Sequence, residues 1–280
     1  TPELLVCLYD AKARRECEGN AAISCVIAGR ELAPLVPERL GLAVSDAPRE
    51  AFCDVHRHLG SETGFYGEDF PAEVSPDAAV DSGAHLPARR VRIAAGCRIE
   101  PGAVVLEGST LAEDVVVRAG AVVGAEGFQP VPYAGGQQNL PHYGSVELRR
   151  GVEVGANAVV CRSAFNEPTE IGEESVLGPQ VYVAHGARIG ARCRLAASAR
   201  VAGSARLGDD VFVGPNAVVS SRVAVGSGAR VSLGAVVVRD VPPGETVTGN
   251  FAVEHERFLA AWRALRRQAG GPEEAGRDRA

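Results

Sequence analysis

The 280-residue chain has no methionine, one tryptophan and one lysine, Lys12, against many arginines. That bias marks GC-rich coding and carries no chemistry. Apolar runs near the ~20 residues needed to cross a bilayer are missing, and Thr1–Asp10 lack the basic start of a secretory signal. A cytoplasmic chain with no transmembrane segment is expected. The seven cysteines (Cys7, Cys17, Cys25, Cys53, Cys97, Cys161, Cys193) are odd in number and include no CxxC pair. Neither a disulfide framework nor a zinc knuckle fits that pattern. Cys53 and His56 would share a helix face, but His58 would not and a fourth ligand is missing, so no metal site is expected. The net charge of -6 argues against nucleic acid as a partner.

What the chain does have is a period of six. An aliphatic residue returns at Ile171, Leu177, Val183, Ile189, Leu195, Val201, Leu207, Val213, Val219, Val225, Val231 and Val237. Earlier hexads run through Val74, Val80 and Leu86, then Ile93 to Val123, then Leu148, Val154 and Val160. Four residues after each lies a mostly small side chain, as at Ala187, Cys193 and Ala199, with Arg90 the misfit beside a one-residue slip. Helices need apolar residues at i, i+3, i+4 and i+7, and ordinary strands alternate in twos, so neither accounts for this spacing. Short strands joined by tight corners do account for it, which predicts the hexapeptide form of a parallel β-helix. Three hexads per coil give eight coils, a prism roughly 38 Å tall at ~4.8 Å per strand. Cys97 and Cys193 fall on small inward positions and read as buried hydrophobes.

Two insertions interrupt the array. One is the long excursion AEGFQPVPYAGGQQNLPHYGSVE; the other is a five-residue bulge around Asn166-Glu167-Pro168. Solenoid insertions collect on one face and often build a binding site, which makes Phe128, His142 and Arg162 candidate substrate contacts. Both insertions precede VAHGARIG, where His185 occupies an outward position near a corner. One coil on, Gly203 stacks over it; one coil back lies Arg162. A neutral imidazole there can take a proton from an attacking amine, and the Gly203 N–H can face an oxyanion. Arg162 is expected to keep His185 neutral by charge repulsion.

The stretches VGAEGF (123–128), LPHYGSV (140–146), VCRSAF (160–165), VYVAHGARIG (181–190) and VAGS (201–204) resemble the UDP-3-O-acylglucosamine N-acyltransferase family of lipid A synthesis. The resemblance implies a homotrimeric, left-handed β-helix enzyme. It implies transfer of a 3-hydroxyacyl group from acyl carrier protein to the amine of a UDP-linked sugar. His185 would be the general base and Gly203 the oxyanion donor, with no bound cofactor beyond the thioester donor, carrier protein or CoA. The chain departs from the family at Gly178 and Cys161, where aspartates are usual, and at Arg222, where a second histidine is. Glu173 or Glu174 is the candidate replacement for the missing carboxylate. Two alternatives stand: an acetyl-CoA-dependent amino-sugar N-acetyltransferase, and a non-catalytic hexapeptide scaffold.

Residues 1–70 lack hexads. LLVCLYD and AISCVIA read as strands, KARRECEG as their connection and PREAFCDVHRHL as a helix, giving a small α/β domain. It resembles the family's uridine-binding domain, with Ala47-Pro48-Arg49 where an Asn-Pro-Tyr stacking loop is usual. The β-helix is expected over 71–250, and a helix with a disordered tail, GGPEEAGRDRA, over 251–280. Phe258, Leu259, Trp262 and Leu265 make an apolar stripe expected to pack on symmetry mates. Arg257, Arg263, Arg266 and Arg267 are the candidate docking site for an acidic carrier protein.

Overall fold

A computed structural model describes residues 4–8, 17, 19–133, 135–249 and 252–268, with 266–268 described by backbone alone. The KARRECEG connection, apart from Cys17 and Gly19, and the GGPEEAGRDRA tail lie outside the described residues.

Most of the chain is a three-sided parallel β-helix whose faces are sheets of nine, seven and eight strands. Most strands in it are two residues long, because only the hexad aliphatic and the residue before it are extended; the next residues turn the corner. Register follows the six-residue period: Val183 pairs with Val201 and Ile189 with Leu207, one coil on. From Ile93 to Val237 every hexad aliphatic is buried, and Ala187, Cys193, Ala199, Ala205 and Ala217 fill the space between them with no exposure. Val74 at the opening coil is 41% exposed, since no coil lies beneath it. Coiling continues after the last hexad at Val237: Val241 bridges to Val225, and Thr246–Val247 adds a strand beside Arg230–Val231.

Many corners hold a residue in the left-handed region, including Asn157, Asp210 and Asn216 but also Arg192 and Arg222. Non-glycine residues enter that region at a cost. Backbone bonds between coils offset it; Arg222 N, for instance, donates to Gly203 O at 3.1 Å.

The outward columns of the three faces differ in chemistry. One runs Glu73, Arg92, Thr110, Glu147, Glu170, Arg188, Arg206; a second alternates charged and apolar residues, Arg98, Val116, Glu153, Val176, Arg194, Phe212 and Arg230. The seven-stranded face instead carries Val104, Val122, Val159, Tyr182, Arg200, Val218 and Val236. His185 lies at the corner leaving this apolar face.

At the N-terminal end, β1 (Leu4–Leu8), β2 (Ile23–Ala28) and β3 (Gly41–Val44) form a parallel sheet in that order. Helix α1 (Pro48–Glu62) starts on a proline at its first turn, where the missing N–H costs nothing. Its buried residues are Cys53 and His56. Helix α2 (His255–Gln268) carries the apolar stripe, with Phe258, Trp262 and Leu265 each more than half exposed in the single chain. Among the described residues no helix is long and apolar enough to cross a membrane.

Candidate active site

Both insertions fold back over the corner that holds His185. The long one contains an antiparallel hairpin, Pro130–Tyr133 with Gly136–Asn139. Hexad counting does not reveal it, because its pairing is set by the turn and not by the solenoid period. The hairpin is pinned to α1: Tyr133 OH donates to Asp54 Oδ1 at 2.6 Å, and the Arg57 guanidinium stacks 4.0 Å from the Tyr133 ring centroid. Cys53, Leu140 and Ala164 form a small buried cluster joining helix, loop and bulge.

The bulge ends at Thr169, fully buried, whose Oγ1 accepts from Gly186 N at 2.8 Å. Gly186 has φ +65°. The corner directly after His185 is therefore fixed by a side chain from the preceding coil.

The His185 imidazole sits between two glycines. A Cβ on Gly203 would stand 2.8 Å from its Cε1 and Nε2; a Cβ on Gly127 would stand 2.9 Å from its Cδ2. Neither glycine has a positive φ, so the backbone does not demand them. The ring does. On either side of Gly203 the amides are engaged, Ala202 N with Val219 O at 2.9 Å and Ser204 N with His185 O at 3.0 Å. The Gly203 N–H between them has no acceptor among the described residues.

Burial alone lowers the His185 pKa from its ordinary value. Arg162 does not hold it neutral as expected, because its guanidinium is engaged with Glu126 Oε1 at 3.1 Å. Nor do Glu173 or Glu174 replace the missing carboxylate: both face Arg150, at 3.7 and 3.6 Å. At Gly178 a Cβ would stand 3.0 Å from Leu195 O and Ala197 N, too close to the next coil for a side chain without a shift. Cys161 is buried and its Sγ lies 3.4 Å from Tyr182 OH, so burial pushes the thiol pKa up. Among the described residues His185 has no carboxylate partner.

The structure brings His142 to His185, ring centroids 5.3 Å apart and edge to face. Arg162 is part of the same surroundings, its charge acting on His142 together with that of Glu126. Phe128, one residue past Gly127, is 81% exposed. On α2, Arg257 and Arg263 are exposed, while the side chains of Arg266 and Arg267 lie outside the described residues.

Sequence reading missed Gly127, Thr169 and an anchor in α1. His56 is buried; its Nε2 donates to Pro141 O at 2.8 Å and its Nδ1 accepts from Tyr66 OH at 2.6 Å. Tyr143, Phe165 and Tyr66 pack their rings around it. The helix thus holds the peptide directly before His142. Cys53 and His56 do share the buried face, and the buried histidine is spent on these two bonds.

Fold and corner together define a hexapeptide-repeat parallel β-helix with an imidazole-centred candidate site. Residues 168–203 match the model of the bacterial transferase hexapeptide (six repeats), and residues 205–239 the hexapeptide repeat of succinyl-transferase. The chain is similar to proteins named UDP-3-O-acylglucosamine N-acyltransferase. The one from Caulobacter vibrioides is 47% identical over 175 residues, 62% of this chain and 51% of that protein. That from Caulobacter sp. strain K31 is 33% identical over 56% of this chain and 46% of its own length. The chain spans about half the length of these curated relatives. Among solved structures, the Francisella novicida UDP-N-acetylglucosamine acyltransferase superposes with a TM-score of 0.53 at 18% identity, over 72% of this chain and 73% of that one. The Arabidopsis UDP-N-acetylglucosamine acyltransferase gives 0.50 at 21%, over 73% and 84%. These two likenesses are likenesses of fold.

Proposed function

We propose that the chain is an N-acyltransferase, moving a 3-hydroxyacyl group from an acyl carrier protein thioester to the amine of a nucleotide-linked amino sugar. The observation that carries this reading is the His185 ring held against Gly203, whose N–H has no acceptor among the described residues. In the reaction the amine attacks the thioester carbon and a C–N bond forms. His185 takes the proton the nitrogen loses, the Gly203 N–H receives the oxyanion, and collapse breaks the C–S bond. The proton on His185 then passes to the departing thiolate. Phe128, His142 and Arg162 contact substrate. The names of the curated relatives support the sugar and the amide product.

The assembly in this reading is a homotrimer. The valine column of the seven-stranded face, and the exposed Leu233, Val236, Val238, Phe258, Trp262 and Leu265, are apolar surface that a second copy would cover. His185 at the edge of that face puts the site at the seam between copies, where a neighbour encloses the loop carrying Phe128.

The carrier protein would dock on α2. Arg257 and Arg263 project there, Arg266 and Arg267 follow in the same helix, and exposed Arg222 and Arg239 lie on the last coils. In a chain of net charge -6, that gathering would steer an acidic partner.

Turnover with 3-hydroxyacyl carrier protein and with acetyl-CoA, each with a UDP-linked 2-amino sugar, tests the reading. The carrier donor should work, with a KM that rises with salt and rises about tenfold or more when Arg263, Arg266 and Arg267 are changed to Glu. Turnover with acetyl-CoA alone would replace this reading with the acetyltransferase.

A further inference from the structure

His142 is fully buried, and its two ring nitrogens have different fates. Nδ1 lies 2.8 Å from the Leu140 carbonyl oxygen. A carbonyl only accepts, so Nδ1 carries the proton and Nε2 of the neutral ring is a bare acceptor. Burial lowers the His142 pKa and keeps the ring neutral, aided by His185 and Arg162 and opposed by the Leu140 carbonyl and Glu126. Nε2 is itself buried and has no hydrogen-bond partner among the described residues. Buried acceptors without partners are rare and point to a water or a ligand.

Where Nε2 points is informative. The position that a Gly127 Cβ would fill is 3.0 Å from His142 Nε2 and 2.9 Å from His185 Cδ2. An acceptor and the candidate base thus border one small space, kept open by a glycine that its own backbone conformation does not require. Two further buried atoms without partners, Gln129 Oε1 and Arg162 Nε, belong to the same loop and its stacked neighbour.

The attacking amine gives its proton to His185, and a bare Nε2 cannot donate to an oxyanion. What it can hold is a second donor on the substrate. We infer that His142 Nε2 accepts a hydrogen bond from a substrate hydroxyl lying beside the His185 imidazole, and so selects substrates that carry it. This rests on reading the His185 corner as the transfer site. Two hydroxyls have the right chemistry: one on the acyl chain near the thioester carbonyl, and one on the sugar ring. A substrate lacking the hydroxyl leaves Nε2 unpaired, which is the strongest way a polar pocket discriminates.

The test is binding by calorimetry of two matched pairs of probes to the full chain. One pair is 3-hydroxyacyl-pantetheine and acyl-pantetheine of equal length; the other is a UDP-linked 2-amino sugar and its 4-deoxy analogue. One pair should show at least about tenfold preference for the hydroxyl. In His142→Leu that ratio should fall within about twofold of unity, while His142→Gln, whose Oε1 also accepts, keeps part of it. The pair that responds identifies the source. As a readout needing no variant, the 15N resonance of His142 Nε2 should move on adding the hydroxylated probe and not its deoxy partner. The inference is overturned if neither pair shows a preference, if the preference survives in His142→Leu, or if the resonance stays fixed because an internal water already occupies Nε2. Binding is read without turnover, so an inactive parent that still prefers the hydroxyl would count against the transfer reading alone.

Discussion

A Cβ on Gly203 would stand 2.8 Å from His185 Nε2, closer than side-chain carbons approach an imidazole, and this contact is why position 203 is glycine. The backbones of the two coils are tied there, Ser204 N to His185 O at 3.0 Å, so it is the ring that must move. Gly203→Ala should therefore push the ring aside. We expect kcat to fall about 100-fold with KM within a few-fold, since a displacement near 1 Å at the reacting groups costs that much. Steady-state kinetics checks it, with circular dichroism to confirm the β-helix.

The pH profile follows from what surrounds His185. Burial lowers its pKa below the ordinary 6.5, and no carboxylate among the described residues raises it. The base works in its neutral form, so kcat/KM is lost as pH falls through the lowered pKa and retained above it. The acid limb should lie below pH 6.5. An acid limb above that value would require a carboxylate partner that the described residues do not supply.

Association should depend on the seven-stranded face. Val159 stands in its outward column, half-buried, between Val122 and Tyr182. Val159→Asp points into solvent in a single chain and leaves the coil intact, but buries a charge in a trimer, where an unpaired charge is costly. Light scattering should give three times the 29.1 kDa chain mass for the parent and one for the variant, with turnover lost in the variant. An active parent of single-chain mass would contradict the seam.

Much of this molecule was legible before its structure because a solenoid repeats its physics. The period from Ile171 to Val237 fixes which residues point inward, and stacking by coils placed Gly203 over His185. Insertions obey no such period. The hairpin from Pro130 to Asn139 is pinned to α1 by the Tyr133 bond to Asp54 across 79 residues of sequence, and the His56 bond to Pro141 spans 85. Charge pairing was misread for the same reason: Glu126, which engages Arg162, sits in the long loop, 36 residues away in the chain. Gly127 was hidden because its requirement comes from two imidazoles that only the folded loop brings together.

The central claim is that His185 is the base of an acyl transfer, and kcat of His185→Ala tests it most directly. With a 3-hydroxyacyl carrier donor and a UDP-linked 2-amino sugar, kcat should fall at least ~100-fold while KM stays within a few-fold and the β-helix remains folded. Turnover equal to the parent's in a folded His185→Ala chain would contradict the account.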